Sequence, residues 1–443
     1  MVNGLLFLLL IAVSAGFLVS TLGVEGKIPA ALIGGLMSVF PAVTATLFFR
    51  YTVVYYGFGV FFAVFAAWIL PRHPWGIVAS AVSIACSMGI YQAYIPITIS
   101  ILILVLIQEG MHAQADGWKM IRHGLYDCLA LLLGLAAYYL ILQGMLKIYG
   151  TSLSDYQGMD TMGRIPLTQL PALVKETVYS VVMLPIRDYC GLSGMRLIKV
   201  VYLLLAGISA VAIVYAMVAV VRKWFVAFIQ LGLCFLLLVA VNFIVIMCPE
   251  SWIYTLMVYS FVLLPCVPLV LVQTLAKQSG KKMVLLDVAK KGCIACVAVL
   301  VLSYGYEANI QYTMADYTGH QVENYMQSLV AQIRMTEGFT AEKRWAFLGQ
   351  IHDPLMRNYW EYELRYGGVP AMEDLLNRYS REEWIRNYLG YSPDFLAKDE
   401  LESLAEAEAV KAMPCWPSQG SIQVIGDTVV VKFQDLEHME HPY

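Results

Sequence analysis

The chain has 443 residues, 59% of them hydrophobic and only 14% charged, with a formal net charge of −3. A water-soluble domain cannot bury so much apolar surface, so composition excludes a soluble enzyme and points to a polytopic membrane protein. The charge is uneven: residues 1–310 carry +7 and residues 311–443 carry −10, which separates a membrane part from a small acidic soluble part.

A bilayer core of about 30 Å is crossed by about 20 apolar residues of helix. Ten stretches qualify: 4–22, 29–49, 52–70, 76–91, 93–108, 125–146, 198–220, 225–247, 254–275 and 292–309. Two of them, 76–91 and 93–108, are short and meet at Tyr91-Gln92-Ala93-Tyr94 ahead of Pro96. They either span with little tilt, the favoured reading, or dip into the membrane as a re-entrant pair.

Short loops rich in Lys and Arg stay in the cytoplasm. Lys119 with Arg122, Arg222 with Lys223, and the cluster Lys277, Lys281, Lys282, Lys290 and Lys291 mark inside turns. Alternation from these anchors puts Lys27 and Arg72 inside and leaves Arg50 in a short outside loop. It also places the N-terminus, the long loop 148–197 and everything after about residue 310 outside. Residues 4–22 lack the basic start and small-residue cleavage site of a signal peptide and read as an internal membrane helix. An outside Met1 then means either direct N-out insertion or a helix upstream of this chain.

The outer half holds no carboxylate before Asp155, because Glu25, Glu109, Asp116 and Asp127 all fall to the inner side. Polar residues do gather there. Tyr91, Gln92 and Tyr94 sit at the outer end of one helix pair, and Arg50, Tyr51, Tyr55 and Tyr56 at the end of another. An interfacial aromatic belt with a snorkelling arginine explains the tyrosines equally well. It explains Gln92 less well, since an amide beside a helix break calls for a specific hydrogen-bonding partner. The loop 148–197 adds Asp155, Asp160, Arg164, Lys175, Glu176, Arg187 and Asp188, and its stretch Leu170–Pro185 predicts an interfacial helix packed against the bundle. Arg164 and Arg187 suit a lipid phosphate, whether of a substrate or of ordinary headgroups.

Several chemistries are set aside. Seven of the nine cysteines lie in or beside apolar helices, where Cys acts as a small hydrophobe, and Cys293-x-x-Cys296 reads as packing. Cys190 and Cys415 are both outside and can pair. No zinc-protease, phosphate-loop or Ser-hydrolase motif is present, and His112 and His123 read as solvated inside-loop residues. An acidic soluble part argues against nucleic acid. That part reads as a small α/β domain, with helices over 319–335 and 399–412, a capping box from Ser380 to Glu383, and strands Arg344–Leu348 and Thr428–Phe433. A Gly426-Asp427 turn closes a hairpin between the latter and Ile422–Ile425.

Ser87-Met88-Gly89-Ile90-Tyr91-Gln92-Ala93-Tyr94, Phe40-Pro41, and Cys248-Pro249-Glu250-Ser251 leading into Thr255-Leu256-Met257-Val258-Tyr259-Ser260 resemble the bacterial GtrII-type glucosyltransferases. The resemblance spans most of residues 1–310 and implies a GT-C-like α-helical membrane fold followed by an extracytoplasmic domain. It also implies transfer of a sugar, typically glucose, from undecaprenyl phosphate to a cell-envelope glycan on the outer face of the bacterial cytoplasmic membrane. No tightly bound cofactor is implied, and a divalent metal is left open. The implied partners are a bactoprenol glucosyltransferase that loads the carrier and a flippase that turns it over.

Under that resemblance Tyr91, Gln92 and Tyr94 line the substrate cavity, and Arg50, Arg164 or Arg187 holds the carrier phosphate. The catalytic acid is not singled out; Asp155, Asp160, Asp188 and Glu250 are the candidates. GT-C enzymes keep that acid in the first outside loop, so the helix at 4–22 matches the family's second helix, and the first helix and acidic loop are expected to be missing here. A transporter or flippase for a lipid-linked glycan is the alternative, as is an inactive short family member. Transporters place paired charges deep in their helices, whereas here little but Asn242 lies deep, with Asp127 and Glu307 at helix ends.

Overall fold

The computed structural model describes residues 2–153, 168–221, 223–249, 251–278, 284–351, 366 and 378–435. It divides into two compact units: Met1–Asn309 with Leu364–Gly368, and Ile310–Glu363 with Val369–Tyr443.

The first unit is helical: α1 (Val2–Thr21), α2 (Lys27–Val39), α3 (Pro41–Leu47), α4 (Val53–Ile69), α5 (Gly76–Ile90), α6 (Ile95–Gly110), α7 (Gly117–Tyr149), α8 (Leu170–Val182), α9 (Arg196–Tyr215), α10 (Trp224–Val241), α11 (Ile244–Met247), α12 (Cys266–Gln278) and the start of α13 (Val284–Met335). Among the described residues six helices are long and apolar enough to cross a membrane, or seven if the bent pair α2–α3 forms one span. The expectation of ten is not met by this measure. α4 and α5 have 17 and 15 residues, so at a rise of about 1.5 Å per residue they fall short of a core of about 30 Å. Residues 292–309 lie inside α13.

Helix breaks are satisfied across the bundle. Pro41 has no N–H, so the Met37 carbonyl four residues before it loses its helical donor. The Tyr259 hydroxyl supplies one at 2.8 Å, and the Tyr259 ring packs edge-on against Phe40. Ser87 and Thr98 donate to the Gly59 and Ala63 carbonyls, tying α5 and α6 to α4. Gly59 is needed there: a Cβ would stand 2.8 Å from the Tyr94 ring. Towards the other end, Phe17 of α1 is enclosed by Phe61, Phe65 and Trp68 of α4.

One pole of the bundle gathers polar side chains and helix ends remote in sequence. There Gln108 meets Leu22 and Thr274, Gln273 and Lys277 meet Glu25, and Lys223 meets Ala115. His112 and His123 are not simply solvated. His123 bonds Glu109 at 2.8 Å, His112 bonds Gln278, and both line a cavity of about 670 Å³ with Lys119 and Lys277.

The second unit holds a three-stranded sheet in the order β1 (Arg344–Leu348), β3 (Thr428–Lys432), β2 (Ile422–Ile425), with β1 parallel and β2 antiparallel to β3. The hairpin turns at Gly426, whose φ of 63° fits the first position of a II′ turn. Alternate residues face two cores. Trp345, Phe347, Val429 and Val431 pack on Val322, Met326, Leu329 and Ile333 of α13, and Ala346, Leu348 and Val430 pack on Leu401 and Val410. The predicted helix at 399–412 is two, α15 (Lys398–Ala405) and α16 (Glu408–Lys411), after α14 (Arg378–Asn387).

The predicted capping box at Ser380 is corrected: Ser380 lies within α14, and Glu383 turns forward to Arg386 and Asn387 instead. Glu400 does reach back to the Ala397 N–H, half of such a box, since alanine offers no side-chain acceptor. Cys190 and Cys415 are both free thiols.

Candidate functional site

The Tyr91-Gln92-Ala93-Tyr94 turn is a single 3-10 turn, Gln92–Tyr94, between α5 and α6. Tyr91, Tyr94 and Tyr56 of α4 form an edge-to-face trio, and Phe49, next to Arg50, packs on Tyr56. Tyr94 is fully buried, whereas Tyr91 and Gln92 are half-buried. The specific partner expected for Gln92 exists: its Nε2 donates to the Tyr138 hydroxyl of α7 at 2.8 Å. Arg50 is exposed, and its carbonyl accepts from Asn3.

This turn packs on the segment after α11. Ala93 and Tyr91 touch Ile244, Cys248, Ile253 and Met257. That segment in turn holds the loop after α8: Cys190 Sγ donates to the Ile253 carbonyl at 3.4 Å, and Thr255 Oγ1 donates to the Cys190 carbonyl at 2.6 Å. Helix α8 itself packs through Leu173 on Val245 and Ile246, as expected for a helix laid against the bundle. Asn242, at the end of α10, donates to Ser180 at 2.7 Å and to Tyr189 at 2.9 Å. Helix ends remote in sequence thus share one pole.

Asp188 accepts the Gly191 and Ser193 N–H groups at 3.1 and 2.7 Å, which closes the tight turn that holds Cys190 at a φ of 52°. Burial first, and the Asp188 charge second, push the Cys190 thiol up to about 12, so it stays protonated and is no nucleophile. Burial likewise raises the Tyr189 phenol. Arg187 is exposed and gives its carbonyl to Ser193. Asp155, Asp160, Arg164 and Glu250 lie outside the described residues.

The residue that sequence reasoning passed over is Glu307. By sequence a helix-end acid, it is fully buried in α13. Its Oε2 accepts from the Tyr366 hydroxyl at 3.3 Å, while Oε1 has no hydrogen-bond partner among the described residues. One turn earlier, Tyr304 donates to the Leu192 carbonyl at 2.8 Å and meets the Tyr202 hydroxyl at 2.9 Å. The available signal was a carboxylate inside the last turn of an apolar stretch. Among the described residues no three His, Cys, Asp or Glu side chains are grouped to hold a metal.

Fold and pole together define a helical membrane protein whose broken helices build a polar, tyrosine-rich site at one end. The family model for Glucosyl transferase GtrII matches residues 1–265, more than half of the chain, and the chain belongs to this glucosyltransferase family. No curated protein and no solved structure matches it.

Proposed function

We propose that this chain transfers a sugar, glucose in the first instance, from a polyprenyl-phosphate carrier to a cell-envelope glycan on the outer face of the bacterial cytoplasmic membrane. The observation that carries this reading is the convergence of the Tyr91–Tyr94 turn, the 251–257 segment and the Asp188–Ser193 turn at one pole of an apolar bundle. A substrate with its lipid tail in the bilayer presents its phosphate and sugar at such a level. No nucleotide-binding motif is needed, because the donor arrives already activated.

In this reading all ten apolar stretches count as membrane segments, and the C-terminal unit lies outside. The acceptor hydroxyl attacks the anomeric carbon, a carboxylate takes the proton, and the departing phosphate is met by Arg50, Arg164 or Arg187. Tyr91 and Gln92 border the sugar, and Tyr94, buried behind them, holds the turn in place. The C-terminal unit offers the acceptor a groove of about 960 Å³ of mixed lining, with Gln332, Thr336, Glu337 and Gln419 beside Met335 and Ile422. A partner enzyme loads the carrier and a flippase delivers it.

Membranes containing the protein, supplied with polyprenyl-phosphate-linked labelled glucose, are expected to move label into the envelope glycan. Gln92→Ala and Tyr94→Phe are expected to slow transfer at least about tenfold, the cost of one well-placed hydrogen bond in a dry site. Unchanged rates in both variants refute the cavity assignment, and labelling from a nucleotide sugar alone refutes the donor class.

A further inference from the structure

We infer that Glu307 is the general base that takes the proton of the acceptor hydroxyl; this rests on the glycosyl-transfer reading above. A fully buried carboxylate is expensive unless it is paired with a cation and fully hydrogen-bonded. Glu307 has neither: among the described residues no Lys, Arg or His forms an ion pair with it, and Oε1 lacks a hydrogen-bond partner. A merely structural position would be filled at lower cost by Gln or an apolar residue. A carboxylate kept there is poised to gain a proton.

The neighbouring acid makes the contrast. Asp188, whose charge bears on Glu307, has both oxygens engaged by backbone N–H groups and exists to close a turn. The two acids therefore have different work, one latched and one with an open lone pair.

Two donors reach Glu307, the Met195 backbone N–H and, at 3.3 Å, the Tyr366 hydroxyl, and the second is informative. An acceptor sugar presents the same group, an O–H directed at a carboxylate oxygen. Tyr304, three residues before Glu307, locks the helix rotation through Leu192 and Tyr202, so the carboxylate is held by its own helix and not by the loops.

The step balances within the proposed reaction. The acceptor oxygen bonds to the anomeric carbon and the carbon–phosphate-oxygen bond breaks. Its electron pair stays on the carrier phosphate, and the acceptor proton passes to Glu307 Oε1, which later releases it to water.

The test uses the full chain in membranes with polyprenyl-phosphate-linked glucose and the envelope glycan. Glu307→Gln preserves shape and an acceptor for Tyr366, and is expected to lower kcat at least about 100-fold, the usual worth of a general base. Retention of labelled lipid donor is expected to stay unchanged, and the thermal unfolding midpoint to stay level or rise. Glu307→Ala is expected to regain part of its rate on addition of formate, a small carboxylate that fills the vacated space. A Glu307→Gln enzyme within about threefold of wild type overturns the assignment, as does a loss that only tracks lower donor retention or a lower midpoint. A wild type that transfers nothing from the lipid-linked donor refutes the glycosyl-transfer reading itself, and this assignment with it.

Discussion

Removing one hydroxyl, in Tyr304→Phe, tests how α13 is fixed beside the site. Tyr304 donates to the Leu192 carbonyl at 2.8 Å and is bonded to Tyr202 at 2.9 Å, with all three groups buried. Each such bond is worth a net of about 0.5–1.5 kcal/mol, so losing both costs about 2 kcal/mol, or about 30-fold in the folding equilibrium. Tyr202→Phe breaks only the shared bond and is expected to cost about 1 kcal/mol. The double variant loses no bond beyond those lost in Tyr304→Phe, so its cost should fall short of the sum by about 1 kcal/mol. The assay is fluorescence-detected unfolding in detergent at a single scan rate. Equal costs for the two single variants, or strict additivity in the double, refute the reasoning.

Two further outcomes follow from the turns and ion pairs. Asp188→Ala frees the Gly191 and Ser193 N–H groups and should destabilise the chain by about 1–2 kcal/mol, with transfer per folded molecule preserved; abolished transfer at an unchanged unfolding midpoint would make Asp188 the base. In the C-terminal unit, Arg344 holds the Glu400 carboxyl down to about 2 from 4.5 through bonds of 2.6 and 2.7 Å. A depressed carboxylate stabilises the fold above its unfolded value and loses that effect as pH falls through the folded one. The difference in unfolding midpoint between wild type and Glu400→Gln, read from Trp345 fluorescence, should therefore close between pH 4.5 and about 2; a constant difference across that range contradicts the pairing.

Much of the candidate site was legible because its signals are local. Gln92 beside a helix break demanded a partner, and Tyr138 is that partner. The apolar stretch after residue 170 predicted a packed helix, and α8 is there. Glu307 was legible only as an acid at a helix end; nothing adjacent in sequence announces that Tyr366 covers one oxygen or that the other is left open. Asp188 reads by sequence as a candidate base; only the structure adds that it accepts backbone N–H groups three and five residues on and so closes a turn.

Hydropathy, charge alternation and short motifs by themselves established a membrane bundle of the GtrII family and the hairpin at Gly426, since these depend on neighbours along the chain. Tertiary structure alone decided which groups answer one another. The Met37 carbonyl freed by Pro41 is met by Tyr259, 222 residues away. The Leu192 carbonyl is met by Tyr304, 112 residues away. In an apolar bundle, a backbone group freed by a helix break needs a partner wherever the fold brings one, and that distance is invisible to any window read along the sequence.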